Sequence, residues 1–349
     1  MNPRDKRRRT ALVVGLLFSA LFVYLSLRRI DLQALWHTLA TSRWWPWYVL
    51  APVVYMAGHY VRGVRCRTIL QPHCEISTWT ATNIVIIGYA ANNLLPARMG
   101  ELVRAYVLSR KASLSVSLSL AVTFVERLMD GLAITMMLVV AGYFAPLPTW
   151  GKEILWVAVF VFLSGLGGVV LVMVARSLVL QLTRRATAWL PPHISDKILS
   201  VLERAISATD CLRDGGVALK IVLLSIGVWL IEGGMFLIIL PAFGLPMNPL
   251  WAAMALAVTN LGILIPSTPG YIGPFHYFCM QSLMLFGVDR ETALGYAIMA
   301  HLLSYIPVTT WGVSALAAYG MDLSSAARRS EVAVENADLS VESQPSAGG

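Results

Sequence analysis

Residues 78–109 read TWTATNIVIIGYAANNLLPARMGELVRAYVLS, an apolar run from Thr78 to Leu95, then Pro96, then a short amphipathic run from Ala97 to Ser109. The apolar run is long enough to enter a membrane, but the second run carries Arg98, Glu101 and Arg104. Each charge at a bilayer centre costs about 2.5–3.5 kcal/mol even on the lenient insertion scale, so the second run does not read as an ordinary crossing. Arg67 and Arg110 flank the stretch. Whether they lie on one side of a membrane decides the fold.

The surrounding composition makes a membrane the solvent. The 349 residues are 57% hydrophobic and 13% charged, against about a quarter charged in ordinary soluble domains. Runs near the roughly 20 apolar residues of a spanning helix include Ala11 to Leu27, Glu153 to Ala175 and Lys220 to Leu240. The first run follows the basic residues Arg4, Lys6, Arg7, Arg8 and Arg9, as a signal peptide would. It is long for that purpose and reaches Arg28 and Arg29 without a small-x-small cleavage site, which predicts a retained helix.

The densest basic segment, Arg176 to Lys220, is cytoplasmic by the positive-inside rule, and so is the basic N-terminus, residues 1–10. Helix one then leaves the cytoplasm, and a second helix, Trp44 to Val64, returns to Arg62, Arg65 and Arg67 inside. Backwards from Arg176, a helix over Glu153 to Ala175 starts outside and one over Leu114 to Tyr143 starts inside, beside Arg110. Arg67 and Arg110 thus share a side, so the quoted stretch is predicted to be a re-entrant hairpin folded at Asn92-Asn93-Leu94-Leu95-Pro96. Irregular backbone at that depth is tolerated where protein or a wet cavity covers it.

The pattern returns after Lys220. An apolar run to Ile265, the breaker Pro266-Ser267-Thr268-Pro269-Gly270, a short run from Phe275 to Phe286 and a helix from Glu291 to Tyr319 supply one hairpin and one crossing. The expected fold is an all-α polytopic membrane bundle over residues 11–321 with two re-entrant broken-helix hairpins. Residues 44–143 and 220–319 are expected to form an inverted repeat, joined through an amphipathic interfacial helix at 195–213 that lies on the membrane surface or, equally, packs against the bundle. Residues 322–349, rich in Ser, Ala and Glu, are predicted to be a disordered cytoplasmic tail. The expected location is a bacterial inner or plasma membrane, with both termini cytoplasmic. Three full crossings in the second half are the rival topology.

Two constellations carry candidate chemistry. In the first, Asn92, Asn93, Pro96, Arg98, Gly100, Glu101 and Arg104 precede Glu126, Arg127 and Asp130 of the next helix. Glu101 with Arg104 and Arg127 with Asp130 are helical i, i+3 neighbours, and Glu126 with Asp130 are i, i+4. Either they form an ion-pair network pinning the hairpin, or Arg98 and Arg104 hold a phosphate headgroup that the carboxylates tune. The second is Pro269, Gly270, Gly273 and His276 within PSTPGYIGPFH, where prolines and glycines free backbone groups for a ligand. Matched breaks in two halves point to a transporter's midplane site.

The net charge of +8 is scattered between apolar runs, so no nucleic-acid groove is expected. Cys66, Cys74, Cys211 and Cys279 form no C-x-x-C pair, and no H-E-x-x-H occurs, so neither metal nor cofactor is expected. His37, His59, His73 and His193 share no ligand spacing, and His301, in the last helix near Ser304 and Pro307, reads equally as a titrating group or as a hydrogen-bonded core histidine. Ser164-Gly165-Leu166-Gly167-Gly168 is assigned to helix packing.

At these residues the chain resembles the lysylphosphatidylglycerol synthetase transmembrane-region family, the flippase-like proteins. The family pattern Asn-x-x-Pro-x-x-x-Gly-Glu-x-x-Arg is similar to Asn93, Pro96, Gly100, Glu101 and Arg104. Glu-Arg-x-x-Asp is matched by Glu126, Arg127 and Asp130, and Pro-Gly-x-x-Gly-x-x-Glu by Pro269, Gly270 and Gly273, with His276 where the acidic residue is usual. The resemblance implies lipid translocation without the soluble transferase of two-domain members. Membrane lipids with polar or anionic headgroups are the expected partners, with lipid-biosynthesis proteins as further ones. An integral-membrane lipid enzyme using Glu101, Glu126 or Asp130 as a base, and a non-transporting scaffold, are the rivals.

Overall fold

The computed structural model describes residues 3–96, 98–145, 147–265 and 267–337, and every regular element among them is helical. Pro266 of the second breaker and the tail beyond 337 lie outside the described residues. The quoted stretch becomes two helices, α4 (Thr78–Leu94) and α5 (Gly100–Ala112), folded against each other. Its counterpart is α11 (Pro249–Gly262) followed by α12 (Pro274–Met284), also a packed pair. Between them run α6 (Val116–Phe144), α7 (Thr149–Val174), α8 (Arg176–Ala186), α9 (Pro192–Ser207) and α10 (Gly215–Ile239). Before them come α1 (Pro3–Leu27), α2 (Leu32–Thr41) and α3 (Trp47–Leu70), and after them α13 (Arg290–Ala318) and α14 (Leu323–Ala337).

The helices α7, α10 and α13 are long and apolar enough to cross a membrane, and α1 with α2, bent by 85° at their junction, reach that length and apolarity only together, as a broken span or a re-entrant loop. With 24 and 29 residues, α3 and α6 reach about 36 and 43 Å at 1.5 Å per residue, a sufficient length, but their inward faces carry charges. Outward faces are apolar: Trp156, Val157, Phe160, Val161 and Leu163 of α7 are all exposed. In water such a stripe would be a liability; hydrocarbon is its natural solvent.

The helix pairings repeat. The helix α3 packs on α10; α4 packs on α13 as α11 packs on α6; α3 touches α13 as α10 touches α6. Exchanging α3–α6 with α10–α13 maps each of these contacts onto another. The flanking helices follow, since α2 lies on α13 as α9 lies on α6, and α1 on α12 as α14 on α5. The helix pairings of the two hairpin-bearing units therefore correspond.

Close backbone approach closes the first hairpin. A Cβ on Gly100 would strike the Gly88 carbonyl oxygen and the Asn92 amide, and one on Gly88 would meet Arg104 Cβ at 2.9 Å. Asn92 clasps the turn from both sides, accepting the Gly100 N–H at 2.8 Å and donating to Glu101 Oε1 at 3.1 Å.

Several expectations are corrected. Arg62 and Arg65, read as cytoplasmic charges at the end of helix two, are 1% and 0% exposed, because α3 continues to Leu70 and turns both inward. The tail read as disordered from residue 322 is helical through Ala337. Asp322 caps that helix by accepting the Ser325 N–H at 2.7 Å, and the small residues Ala326, Ala327 and Ser330 bury themselves where α14 meets α5. For the amphipathic segment at 195–213, the packing alternative is the one observed, with Leu199 and Ile206 buried where α9 meets α6. Of the glycines at 165, 167 and 168, Gly165 alone meets a neighbour, Leu128 Cδ1 at 2.8 Å from a built Cβ.

Candidate functional site

The tips of the two hairpins meet. Gly270 takes a left-handed φ of 73° and a Cβ there would lie 3.4 Å from the Asn93 carbonyl oxygen, which also accepts the Tyr305 hydroxyl at 3.2 Å. Asn93 Nδ2 donates to Thr309 Oγ1 at 2.8 Å, tying the first tip to α13. Arg98 donates to the Ile263 carbonyl of the second hairpin, and its guanidinium lies 5.7 Å from the Tyr271 ring centroid. Arg98 and Tyr271 both hold positive φ, 53° and 59°. Left-handed non-glycine residues cost of order 1–3 kcal/mol and cluster where surrounding structure imposes them for function. Here one stands at each tip.

Beneath the tips lies a cavity of ≈390 Å³. Its wall includes the predicted residues Asn92, Asn93, Arg98, Glu101, Arg127 and Asp130. The second half supplies Trp229, Glu232, Asn260 and Tyr271, and α3 supplies Tyr55 and Arg62.

A row of alternating charges runs through the wall and behind it. Arg104 pairs with Glu126, whose other oxygen lies 3.7 Å from Arg65 Nε. Arg65 reaches Asp130 Oδ1 at 2.7 Å and donates to Ser225 Oγ at 3.0 Å, and Asp130 Oδ2 faces Arg127 at 3.7 Å. Trp229 Nε1 donates to Asp130 Oδ1 at 3.2 Å, and Arg127 donates to the Tyr89 hydroxyl at 2.9 Å. Across the two halves, Arg62 pairs with Glu232, with the Tyr89 and Trp229 ring centroids at 5.2 and 5.1 Å from its guanidinium carbon. Arginine suits this setting, because its planar fork pairs with carboxylates and lies on aromatic faces. A single buried charge would be prohibitive; opposite charges in sequence compensate one another.

The predicted residues divide into wall and support. Arg104 is 2% exposed and stands behind the wall, paired with Glu126 and 3.4 Å from Cys66 Sγ, so it is not brought to the cavity as a headgroup contact. Gly100 shapes the hairpin, and Met99 N–H donates to the Pro96 carbonyl at 3.3 Å in the turn. Pro269 opens the short turn that contains Gly270, and Gly273, with φ 100°, packs on α1 at Ser19. His276 Nδ1 accepts the Gly273 N–H at 3.4 Å and its Nε2 lies 3.3 Å from His301 Nδ1; of the two, His301 lines the cavity.

Sequence reasoning missed Arg62, Arg65, Tyr89, Trp229 and Glu232. A signal existed for Glu232, the one carboxylate within the apolar run Lys220 to Leu240, since such a residue in a membrane helix needs a partner. Arg62 and Arg65 share a helix face with Tyr55 and His59 at spacings of three and four, which marks a polar inward stripe.

A family model described as the lysylphosphatidylglycerol synthase TM region matches residues 12–312. Among curated proteins, a UPF0104 membrane protein of Methanocaldococcus jannaschii is 26% identical over 222 residues, covering 63% of this chain and 90% of that protein. A UPF0104 membrane protein of Methanothermobacter thermautotrophicus is 23% identical over 266 residues, 69% of this chain and 75% of its own length. Glycosyltransferase AglD of Haloferax volcanii is 25% identical over an alignment 365 positions long that spans 95% of this chain but 58% of AglD. Hairpins, charges and cavity all fall within the matched residues, and the chain belongs to the family of lysylphosphatidylglycerol synthase transmembrane regions, as an integral membrane protein.

Proposed function

We propose that the protein moves a lipid with a polar or anionic headgroup across the membrane, the headgroup passing through the central cavity while the hydrocarbon chains stay in the bilayer. The observation that carries this reading is the meeting of two hairpin tips over a charged cavity inside a bundle whose outer faces are apolar. In this reading both hairpins are re-entrant and enter from opposite sides, with the corresponding helix pairings of the two units in support, and both termini are cytoplasmic in a bacterial inner membrane. Broken helices in inverted halves place a transporter's binding site between them. Arg62, Arg98 and Arg127 then contact the headgroup, and Asn92, Asn93 and Glu101 keep the tip in shape around it. Arg65, Arg104 and Glu126 position that wall from behind. The motion is driven by a gradient or by mass action.

Purified protein in liposomes containing fluorescent phospholipids, read by quenching of the outer leaflet, tests this. Accelerated exchange of a lipid class, reduced by Arg127→Met, supports it; exchange no faster than in protein-free liposomes for every phospholipid, isoprenoid phosphate and glycolipid tried contradicts it.

The similarity to glycosyltransferase AglD along 95% of this chain favours one second reading, a membrane component that modifies lipids or scaffolds a lipid-synthesis partner. Product formation from a labelled lipid in detergent, where sidedness is lost, would support that reading over translocation.

A further inference from the structure

The central cavity shares a wall residue with a second hollow of opposite character. A groove of ≈570 Å³ lies between α6, α10 and α11, lined by Met136, Met137, Phe144, Leu230, Gly233 and Leu250 among other apolar residues. Trp229 belongs to both linings. Its indole N–H donates to Asp130 at 3.2 Å and the Arg62 guanidinium lies 5.1 Å from its ring centroid, so the residue stands in the charged wall and also lines the groove. Tryptophan suits such a boundary, having one polar handle on a large apolar body. A comparable apolar groove of ≈630 Å³ beside Leu120, Phe124, Val169 and Leu202 shares no lining residue with the central cavity.

A lipid whose headgroup sits among Arg62, Arg127 and Asp130 must carry its chains away along an apolar path that begins at that wall. Methylenes laid against unsolvated ion pairs would strip those charges of polar contacts and gain nothing in return. We propose that the groove between α6, α10 and α11 holds a hydrocarbon chain of the lipid whose headgroup occupies the central cavity, with Trp229 as the partition between the two. This assignment rests on the translocase reading and adds the place where head and chain separate. The groove floor is formed partly by Gly233, where a built Cβ meets Leu256 Cδ2 at 3.7 Å, an ordinary contact. A side chain added there is accommodated by the backbone and takes groove volume. Gly227, on the same helix, lines a different hollow, and a Cβ there meets nothing within 4 Å.

Gly233→Leu and Gly227→Leu, in the full chain, test the assignment. Binding of dioleoyl- and dihexanoyl-phosphatidylglycerol to the purified protein is measured by native mass spectrometry, alongside exchange of the dioleoyl lipid in liposomes. Gly233→Leu should weaken dioleoyl binding about tenfold while leaving dihexanoyl binding unchanged, and Gly227→Leu should alter neither. Arg127→Met should weaken both lipids, because it acts on the head. The proposal is overturned if wild type binds the long-chain lipid no better than the short one, if Gly233→Leu leaves dioleoyl binding intact, or if it weakens both lipids alike. Chain-selective binding with no exchange by the wild type would sink the translocase reading and leave the groove standing. Exchange that survives Gly233→Leu with unchanged binding would do the reverse.

Discussion

Replacing Glu232 by Gln separates a buried scaffold from a functional wall. Arg62 and Glu232 are 1% and 5% exposed in their side chains, and the pair joins α3 to α10 across the two halves. Glu232→Gln keeps the shape but removes the charge that compensates Arg62. Breaking a buried pair on one side costs about 3–5 kcal/mol, because the surviving ion stays desolvated. The lower end applies here, since the glutamine oxygen still accepts a hydrogen bond and the Tyr89 and Trp229 rings continue to face the guanidinium. The double variant Arg62→Met with Glu232→Leu removes both ions and should regain stability to within about 1 kcal/mol of wild type, as apolar replacements of buried pairs do. Unfolding in mixed micelles gives the stabilities and liposome exchange gives the function. The account expects Glu232→Gln to lose about 3 kcal/mol, and the double variant to be stable and inactive. A double variant that is both stable and fully active would make the pair a scaffold and refute its place in the headgroup wall.

Gly100→Ala, which drives a methyl group into the Gly88 carbonyl and the Asn92 amide, should destabilise by about 1–3 kcal/mol, read as a lowered unfolding midpoint; an unchanged midpoint would show that the hairpin arms are not in contact there. Arg104→Met should cost about 3 kcal/mol through the stranded Glu126, softened by Arg65 at 3.7 Å, and leave lipid affinity of the folded protein unchanged. Lost affinity at unaltered stability would return Arg104 to direct headgroup contact.

Much of the architecture was legible in the chain because apolar run length and breakers act locally. The runs Thr78 to Leu95 and Ala97 to Ser109 became α4 and α5 with ends displaced by at most three residues, and the runs around the second breaker became α11 and α12. What escaped depends on partners far along the chain. Arg62 and Glu232 are 170 residues apart, and counting charges near helix ends treated Arg62 and Arg65 as orientation signals at the cytoplasmic end of helix two although both point inward. The same limit affected Arg104: its spacing from Glu101 suggested a local pair, whereas its ion partner is Glu126 on the next helix. For α14, low apolar content suggested disorder, yet alanines and serines pack closely without large side chains. The candidate wall was half legible for this reason, as the first hairpin and α6 carry their polar residues in one recognisable run while α3 and α10 carry theirs singly.

The meeting of the two hairpin tips is central to the account, and joining them tests it most directly. Cysteines replacing Arg98 and Tyr271, whose side chains touch across the tips, can be linked by a short cleavable bifunctional thiol reagent in a background where the partly exposed Cys74 is replaced by Ser. Lipid exchange in liposomes should stop on linking and return on cleavage, while each single cysteine variant treated the same way keeps its own rate. Exchange that continues at the unlinked rate with the tips joined would contradict passage of the headgroup between them.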